Sequence, residues 1–470
     1  MQKSEGAGWL RPAASIVGAI TLARLVLLAF DRTDLFVDEA QYWLWGQSLD
    51  WGYYSKPPLI AWVIRGVTGL AGSDAVFWVR MPGAVLHGIT AMVLGAVAAA
   101  LFGGRAAVVT AAGYATLPMV AVGSFLFSTD TVMLPCLAVS LWAWLRVVRG
   151  GGLGFAALAG AALGLAVMAK YAGVYGLIGY ALAAVLVPGW RAGWRHWAVM
   201  GALALVVVAP NIAWNLAHDM TTLAHTADNA RWVRGGVALR PGEMLGFWAA
   251  QLAVVGPVVA LAFVLRVAGA RGDALALAVM ALVPLAVVTV QALLGGANAN
   301  WAAAGWLYGA VLAFGWLAGR PVWRALSFGV NGLAAVAVPL LAAMPWVTVG
   351  DQVVMARYLG RAALSEAAIA AARGQGAAIL ADRRDVLADL FHTGRDAGVA
   401  VFAPPPAGRP GNFYEQVHAL PDPAPAPLLL VAEAAPDCAR DLGAHDGAGG
   451  AYRKLGLRFW LLEEGCDAGR

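Results

Sequence analysis

The sequence predicts an all-α polytopic membrane fold with a small C-terminal α/β domain outside the membrane. Three observations predict it. The 470 residues are 61% hydrophobic and only 13% charged, against roughly 45–50% and 25% in soluble domains, and side chains this apolar cannot all hide in one core surrounded by water. The apolar residues fall in runs near the roughly 17–25 residues that a membrane-spanning helix needs. After Met344 the composition changes, and residues 350–470 hold most of the remaining charge. The 57 glycines suit close helix approach in lipid, and the 20 tryptophans suit anchoring at the interface.

The expected spans are Ala13–Phe30, Pro82–Leu101, Ala106–Val122, Thr131–Leu145, Leu153–Ala169 and Ala172–Val187, followed by Trp197–Pro210, Leu245–Leu265, Ala274–Leu294, Trp301–Leu317 and Val322–Met344. They give about eleven spans by the length rule within a membrane domain at 1–346. The first run follows a short basic leader, as a signal peptide does, but no small-residue cleavage site follows it.

Charge sets the orientation. With a cytoplasmic N-terminus, the connections on that side carry Lys3, Arg11, Arg105, Arg146, Arg149, Arg191, Arg195, Arg266, Arg271, Arg320 and Arg324, with Glu5 and Asp273 as their only acids. The opposite loops hold most of the acids, and Arg65, Arg80, Arg231 and Arg234 with them. This is the positive-inside pattern. It also removes nucleic acid as the reason for the net charge of +5, because the basic residues are scattered between apolar runs instead of gathered on one face. This reading expects a multi-pass membrane protein with a cytoplasmic N-terminus and its C-terminal domain on the outer side.

Two outside loops are long, 31–81 and 211–244. The first contains Ala40–Leu49 and Pro58–Leu70, apolar but too short to span, so each reads as an interfacial helix. In the C-terminal domain the pattern predicts a helix at Met355–Ala372, a strand at Ala377–Ala381, a helix at Arg384–Phe391 and strands at Val399–Phe402, Leu428–Ala432 and Leu457–Leu462. Cys136 lies inside a span and is expected to be inert. Cys438 and Cys466 share an oxidising compartment, so a bridge and two separate thiols are both open.

Several residues suit chemistry. Asp38 and Glu39 are adjacent acids just after a membrane helix; one suits a general base, although acids also cap helix N-termini. Lys56 precedes a rigid Pro-Pro and makes a positioned charge suited to phosphate, or an ordinary headgroup contact. Asp130 opens a helix, where capping is the plain alternative. Lys170, followed by Tyr171, stands at a membrane boundary, where snorkelling is the plain alternative. Arg24 within the first span needs a partner or a polar cavity. By the charge reading, Asp38, Glu39, Lys56, Asp130 and Lys170 share one membrane face, as a site that binds an anion and abstracts a proton requires. His218 and His225 lack metal-ligand spacing, no divalent metal is predicted, and no cofactor motif occurs.

The stretches D-E-A-Q-Y-W-L-W and L-D-W-G-Y-Y-S-K-P-P-L-I-A-W resemble glycosyltransferase family 39, the dolichyl-phosphate-mannose protein mannosyltransferase-like group that includes bacterial lipid A aminoarabinose transferases. F-S-T-D-T, M-A-K-Y-A-G-V-Y, P-N-I-A-W-N-L, A-N-A-N-W-A-A-A and I-L-A-D-R-R-D-V-L-A-D-L extend the resemblance over most of the chain. Ser55-Lys56 departs from the Asp-His of many bacterial relatives and is nearer the aminoarabinose transferases.

The resemblance implies a GT-C fold, a polyprenyl-phosphate sugar donor, and transfer to a lipid A, glycolipid or protein acceptor at the periplasmic face. It makes Asp38 the expected base and Lys56 the donor-phosphate contact. Asp130 matches a second acidic position, and Lys170, with Tyr171, a further phosphate-binding one. The mechanism expected is inverting displacement. The competing reading is a transporter of lipid-linked sugar, which usually places its ionisable residues at the midplane.

Overall fold

The computed structural model describes residues 8–229, 236–444 and 450–466; Lys3, Glu5, Arg231 and Arg234 lie outside the described residues. The helices begin with α1 (Leu10–Leu28), α2 (Val37–Gln47), α3 (Leu59–Ala71) and α4 (Val76–Phe102). Next come α5 (Gly104–Ala115), α6 (Pro118–Gly123), α7 (Thr129–Val148), α8 (Leu153–Ala169), α9 (Val174–Leu186), α10 (Trp194–Ala217) and α11 (Thr221–Asn229). Then follow α12 (Pro241–Val255), α13 (Pro257–Ala268), α14 (Asp273–Gly295), α15 (Ala303–Leu317) and α16 (Pro321–Ala343). Among the described residues, six helices are long and apolar enough to cross a membrane, or seven if the bent pair α12–α13 counts as one span. Shorter apolar helices, including α8 and α9, account for other expected runs.

Proline and glycine explain where these helices depart from the hydropathy reading. The expected span Ala106–Val122 breaks into α5 and α6, because Pro118 starts a new helix and holds Leu117 extended. Pro210 ends nothing: α10 runs on through it to Ala217, so residues 211–217 are helical and not loop. Proline is tolerated inside membrane helices because neighbours satisfy the freed carbonyl. The run Leu245–Leu265 bends by 109° between α12 and α13. There Gly256 has φ +84° and ψ 144°, a conformation that side chains disfavour. The Asn331 side-chain amide also donates to the Val255 carbonyl at 3.1 Å, and a Cβ on residue 256 would stand 1.9 Å from Asn331 Oδ1. Gly256→Ala is therefore expected to cost about 1–3 kcal/mol of stability from backbone strain, seen as a lower melting temperature in detergent.

The chain divides into two units. The first comprises 1–29, 50–63 and 80–340; the second comprises 30–49, 64–79 and 341–470. The first long loop is thus shared between them. In the first unit, α8 and α10 cross closely. A Cβ on Gly160 would meet the Met200 carbonyl at 2.2 Å, and one on Gly164 would meet Val207 at 2.7 Å, the small-xxx-small packing of membrane helices. Arg24 is buried in this unit and donates to the Ala115 carbonyl at 2.7 Å, a backbone group left over where α5 ends. Asp273, an acid on the basic side, accepts Arg149 at 2.6 Å and the Trp190 indole N–H at 2.9 Å.

The second unit holds α17 (Arg361–Gln375), α18 (Arg384–Thr393), α19 (Phe413–Val417) and two sheets. A small hairpin pairs β1 (Thr348–Val349) with β2 (Gln352–Val353). The larger sheet uses β3 (Ala378–Ala381), β4 (Val401–Phe402), β5 (Leu428–Ala432), β6 (Arg440–Ala444) and β7 (Arg458–Leu462), in the order β4-β3-β5-β7-β6. Strands β4, β3 and β5 are parallel, and β7 and β6 add antiparallel. The apolar run of β5 is buried along its whole length, as expected for a central strand. The expected helix Met355–Ala372 is shorter: a 3-10 turn at Ala356–Tyr358 precedes Gly360, whose φ of +79° delays α17 to Arg361. Strand β6 escapes the hydropathy reading because it is a mostly exposed edge, Arg-Asp-Leu-Gly-Ala. Cys438 and Cys466 are bridged, with Cα atoms 5.6 Å apart.

In the same unit, α2 packs on α18. The Trp43 ring meets His392 edge-on at 4.8 Å, and its indole N–H donates to Asp74 at 2.8 Å. Asp389 of α18 is buried and accepts the Thr393 hydroxyl at 2.9 Å. Burial pushes its carboxyl up to about 6, whereas an unfolded Asp titrates near 3.9. Folding therefore favours the protonated form. Its stabilising contribution is present below about pH 4 and is lost as the pH rises through about 6. Asp389→Asn is expected to flatten the pH dependence of melting between these values and to raise stability at pH 8 by on the order of 2 kcal/mol. An unaltered pH profile in the variant would exclude this role for Asp389.

Candidate active site

In the first unit, the polar residues converge on Asp130. It sits in the first turn of α7, after extended Ser128, and is nearly buried. Lys170 Nζ donates to both of its oxygens, at 2.8 and 2.9 Å. The Asn300 amide donates to Asp130 Oδ2 at 2.7 Å. Lys170 is placed by the end of α8: its backbone leaves the helix in extended conformation after its N–H reaches the Ala166 carbonyl. The next residue, Tyr171, donates its hydroxyl proton to Asn211 at 3.0 Å and accepts from Asn215 at 3.1 Å. Both asparagines project from the part of α10 beyond Pro210.

The same stretch of α10 also holds the segment that carries Lys56, through Asn211 and Trp214. Asn211 donates to the Trp51 carbonyl at 2.7 Å, and the Trp214 indole N–H donates to Asp50 at 2.7 Å. The Trp62 indole N–H donates to the Asp50 carbonyl at 3.0 Å, and Thr222 donates to the Tyr53 carbonyl at 2.7 Å. Gly52 lets the Trp214 ring approach, for a Cβ there would lie 2.3 Å from it. The Tyr53 N–H closes the turn on the Lys56 carbonyl at 3.1 Å. Lys56 thus stands on a braced turn and not on a loose loop.

In the second unit, Asp38 and Glu39 occupy the first turn of α2 and have different surroundings. Glu39 is buried, and its carboxylate accepts the Phe36 N–H at 2.9 Å, closing the helix N-terminus as a capping box does. Asp38 is half-exposed. Its Oδ1 accepts Arg384 Nη2 at 2.5 Å, and Arg384 Nε reaches Gln41 at 2.9 Å. Oδ2 of Asp38 has no hydrogen-bond partner among the described residues. Asp38 also lines an open cavity of about 520 Å³ with Phe36, Val37, Arg357, Arg383, Arg384 and Asp385.

The structure therefore brings Asp130 and Lys170 into one ion pair, gives Glu39 a capping bond, and binds Asp38 to an arginine. Arg384, Arg357, Arg383, Asn300, Asn211 and Asn215 carry no role in the sequence reading. One signal was available. Arg383 and Arg384 stand at the start of a helix, where cations are disfavoured by typically 0.3–1 kcal/mol, which marks them as unusual there.

Two solved structures share the architecture. ArnT from Cupriavidus metallidurans bound to undecaprenyl phosphate matches with a TM-score of 0.59 at 15% identity, covering 99% of this chain and 100% of that one. The apo oligosaccharyltransferase of Archaeoglobus fulgidus matches at 0.53 and 12% identity, covering 84% of this chain and 64% of that one. The fold is that of the GT-C membrane glycosyltransferases. In sequence, residues 55–214 match the family described as dolichyl-phosphate-mannose-protein mannosyltransferase. The lipid A galacturonosyltransferase RgtD of Rhizobium johnstonii is 42% identical over 437 residues, 91% of this chain and 92% of that one. The chain belongs to this family. It is a multi-pass membrane glycosyltransferase, which decides the enzyme against the transporter.

Proposed function

We propose that this glycosyltransferase moves a galacturonic acid residue from a polyprenyl phosphate to lipid A, with inversion, at the periplasmic face of the inner membrane. The observation that carries the reaction is Asp38, with one carboxylate oxygen fixed by Arg384 and the other without a partner among the described residues. Asp38 takes the proton of an acceptor hydroxyl as that oxygen bonds to the anomeric carbon. The bond from that carbon to the phosphate oxygen breaks, and polyprenyl phosphate leaves. Glu39 fixes the helix turn that presents Asp38. Lys56 meets the phosphate as its charge develops, where a positioned cation lowers the barrier. Asp130 orients Lys170, and Tyr171 completes that polar cluster. The choice of sugar and acceptor follows from the 42% identical lipid A galacturonosyltransferase.

The orientation rests on the basic connections of one side and on the Cys438–Cys466 bridge, which suits an oxidising compartment. The test is transfer by purified protein from polyprenyl-phospho-galacturonate to lipid A, read as one added hexuronate by mass spectrometry. Transfer of a neutral sugar with none of the uronate would overturn the assignment. Lys56→Ala is expected to weaken donor binding by roughly 10–100-fold, the range of a lost charge-assisted contact, measured as KM for the donor.

A further inference from the structure

The cavity beside Asp38 carries more positive than negative charge. Its wall holds three guanidinium groups and two carboxylates. Arg384 is matched by Asp38, and Arg383 pairs with Asp385 at 3.1 Å and Glu433 at 3.6 Å. Arg357 is left over. It lies over the Phe36 ring, 4.7 Å from the centroid, and has no acidic partner among the described residues. A guanidinium over an aromatic ring keeps its N–H donors, and their fork is the geometry that bidentate carboxylate binding uses. The volume of about 520 Å³ lies within the roughly 300–1,000 Å³ of small-molecule sites.

We propose that this cavity is the subsite for the carboxylate of the transferred hexuronate, with Arg357 as its principal ligand and Arg383 beside it. One guanidinium without an acidic partner among the described residues matches a carboxylate monoanion. A phosphate monoester of the acceptor, with roughly 1.5–2 negative charges at neutral pH, would leave the site over-filled with negative charge. The uncharged counterpart of the sugar gains nothing from Arg357, so the residue sets specificity between acidic and neutral sugars. This inference rests on the reading that the enzyme transfers galacturonate.

The experiment compares purified wild type, Arg357→Ala and Arg357→Gln with two donors, polyprenyl-phospho-galacturonate and polyprenyl-phospho-galactose, on lipid A with and without its phosphates. The expected result is that both variants lose at least 10-fold of the galacturonate-over-galactose ratio in kcat/KM while keeping the slower galactose transfer. That retained activity reports an intact fold in the same assay. An unchanged ratio in both variants overturns the subsite. So does a loss confined to phosphorylated acceptor, which assigns Arg357 to the acceptor phosphate. If wild type fails to use galacturonate at all, the proposed function falls, and that outcome is told apart by the wild-type arm alone.

Discussion

Asp38→Asn is expected to lower kcat by roughly 10²–10⁴-fold, the contribution typical of a positioned general base, with donor binding near the wild-type value. The amide keeps an oxygen for Arg384 to donate to, so the Asp38–Arg384 contact and the wall of the cavity survive the change. What disappears is the oxygen that accepts the acceptor proton. Single-turnover transfer and donor binding separate the two effects: the first should collapse and the second should not. Turnover by Asp38→Asn within a few-fold of wild type would falsify the base assignment. Glu39→Gln offers a contrast. Its carboxylate accepts the Phe36 N–H at 2.9 Å, a bond that the amide oxygen can also accept, so its turnover should fall far less than that of Asp38→Asn.

Asp130→Ala is expected to destabilise the membrane unit by about 3 kcal/mol, because it strands a cation in a largely buried position. Side-chain exposure is 9% for Asp130 and 17% for Lys170, and Asn300 loses its acceptor at the same time. The double variant Asp130→Leu with Lys170→Met removes both charges, and apolar replacement of a buried pair is often neutral or stabilising. It should therefore recover most of the melting temperature while remaining inactive in transfer. A double variant as unstable as Asp130→Ala would mean that Lys170 is not the group harmed by the single change. A stable double variant with wild-type transfer would remove the pair from the reaction altogether.

The two variants probe parts of the chain whose readability from sequence differs. Asp130 and Lys170 were placed on the same membrane face by counting charged connections between apolar runs. The start of α7 and the end of α8 are recognisable from apolar length alone, but the contact between the two side chains is not. Asp38 was recognisable as a candidate base, from an acid pair after a span and from the resemblance of D-E-A-Q-Y-W. Its partner was not. Arg384 is 346 residues away, and nothing in a local window links the two. The separate capping role of Glu39 was likewise invisible, since two adjacent acids look alike until the helix start is fixed between Phe36 and Val37.

Helix continuity was the other place where local reading failed. Pro210 reads as a stop in water, yet α10 continues to Ala217 and carries Asn211 and Asn215 toward Tyr171. Gly256 and Pro257 lie inside the expected span Leu245–Leu265, yet the chain turns by 109° there. Whether a proline or glycine kinks, breaks or passes depends on who satisfies the freed backbone groups, and at Val255 that group is the amide of Asn331.

By itself, the sequence determined that this protein lives in a membrane, where its chain turns from lipid-soluble to charged, and which short motifs hold acids and lysines. Those properties are sums over neighbouring residues, and the solvent in which a segment is stable follows from its own composition. Only the tertiary structure decided that Asp38 is held by Arg384, that Asp130 is shared by Lys170 and Asn300, and that Arg357 has no acidic partner among the described residues. Each of these depends on which distant side chains packing brings within about 3 Å of one another, and hydropathy carries no information about that.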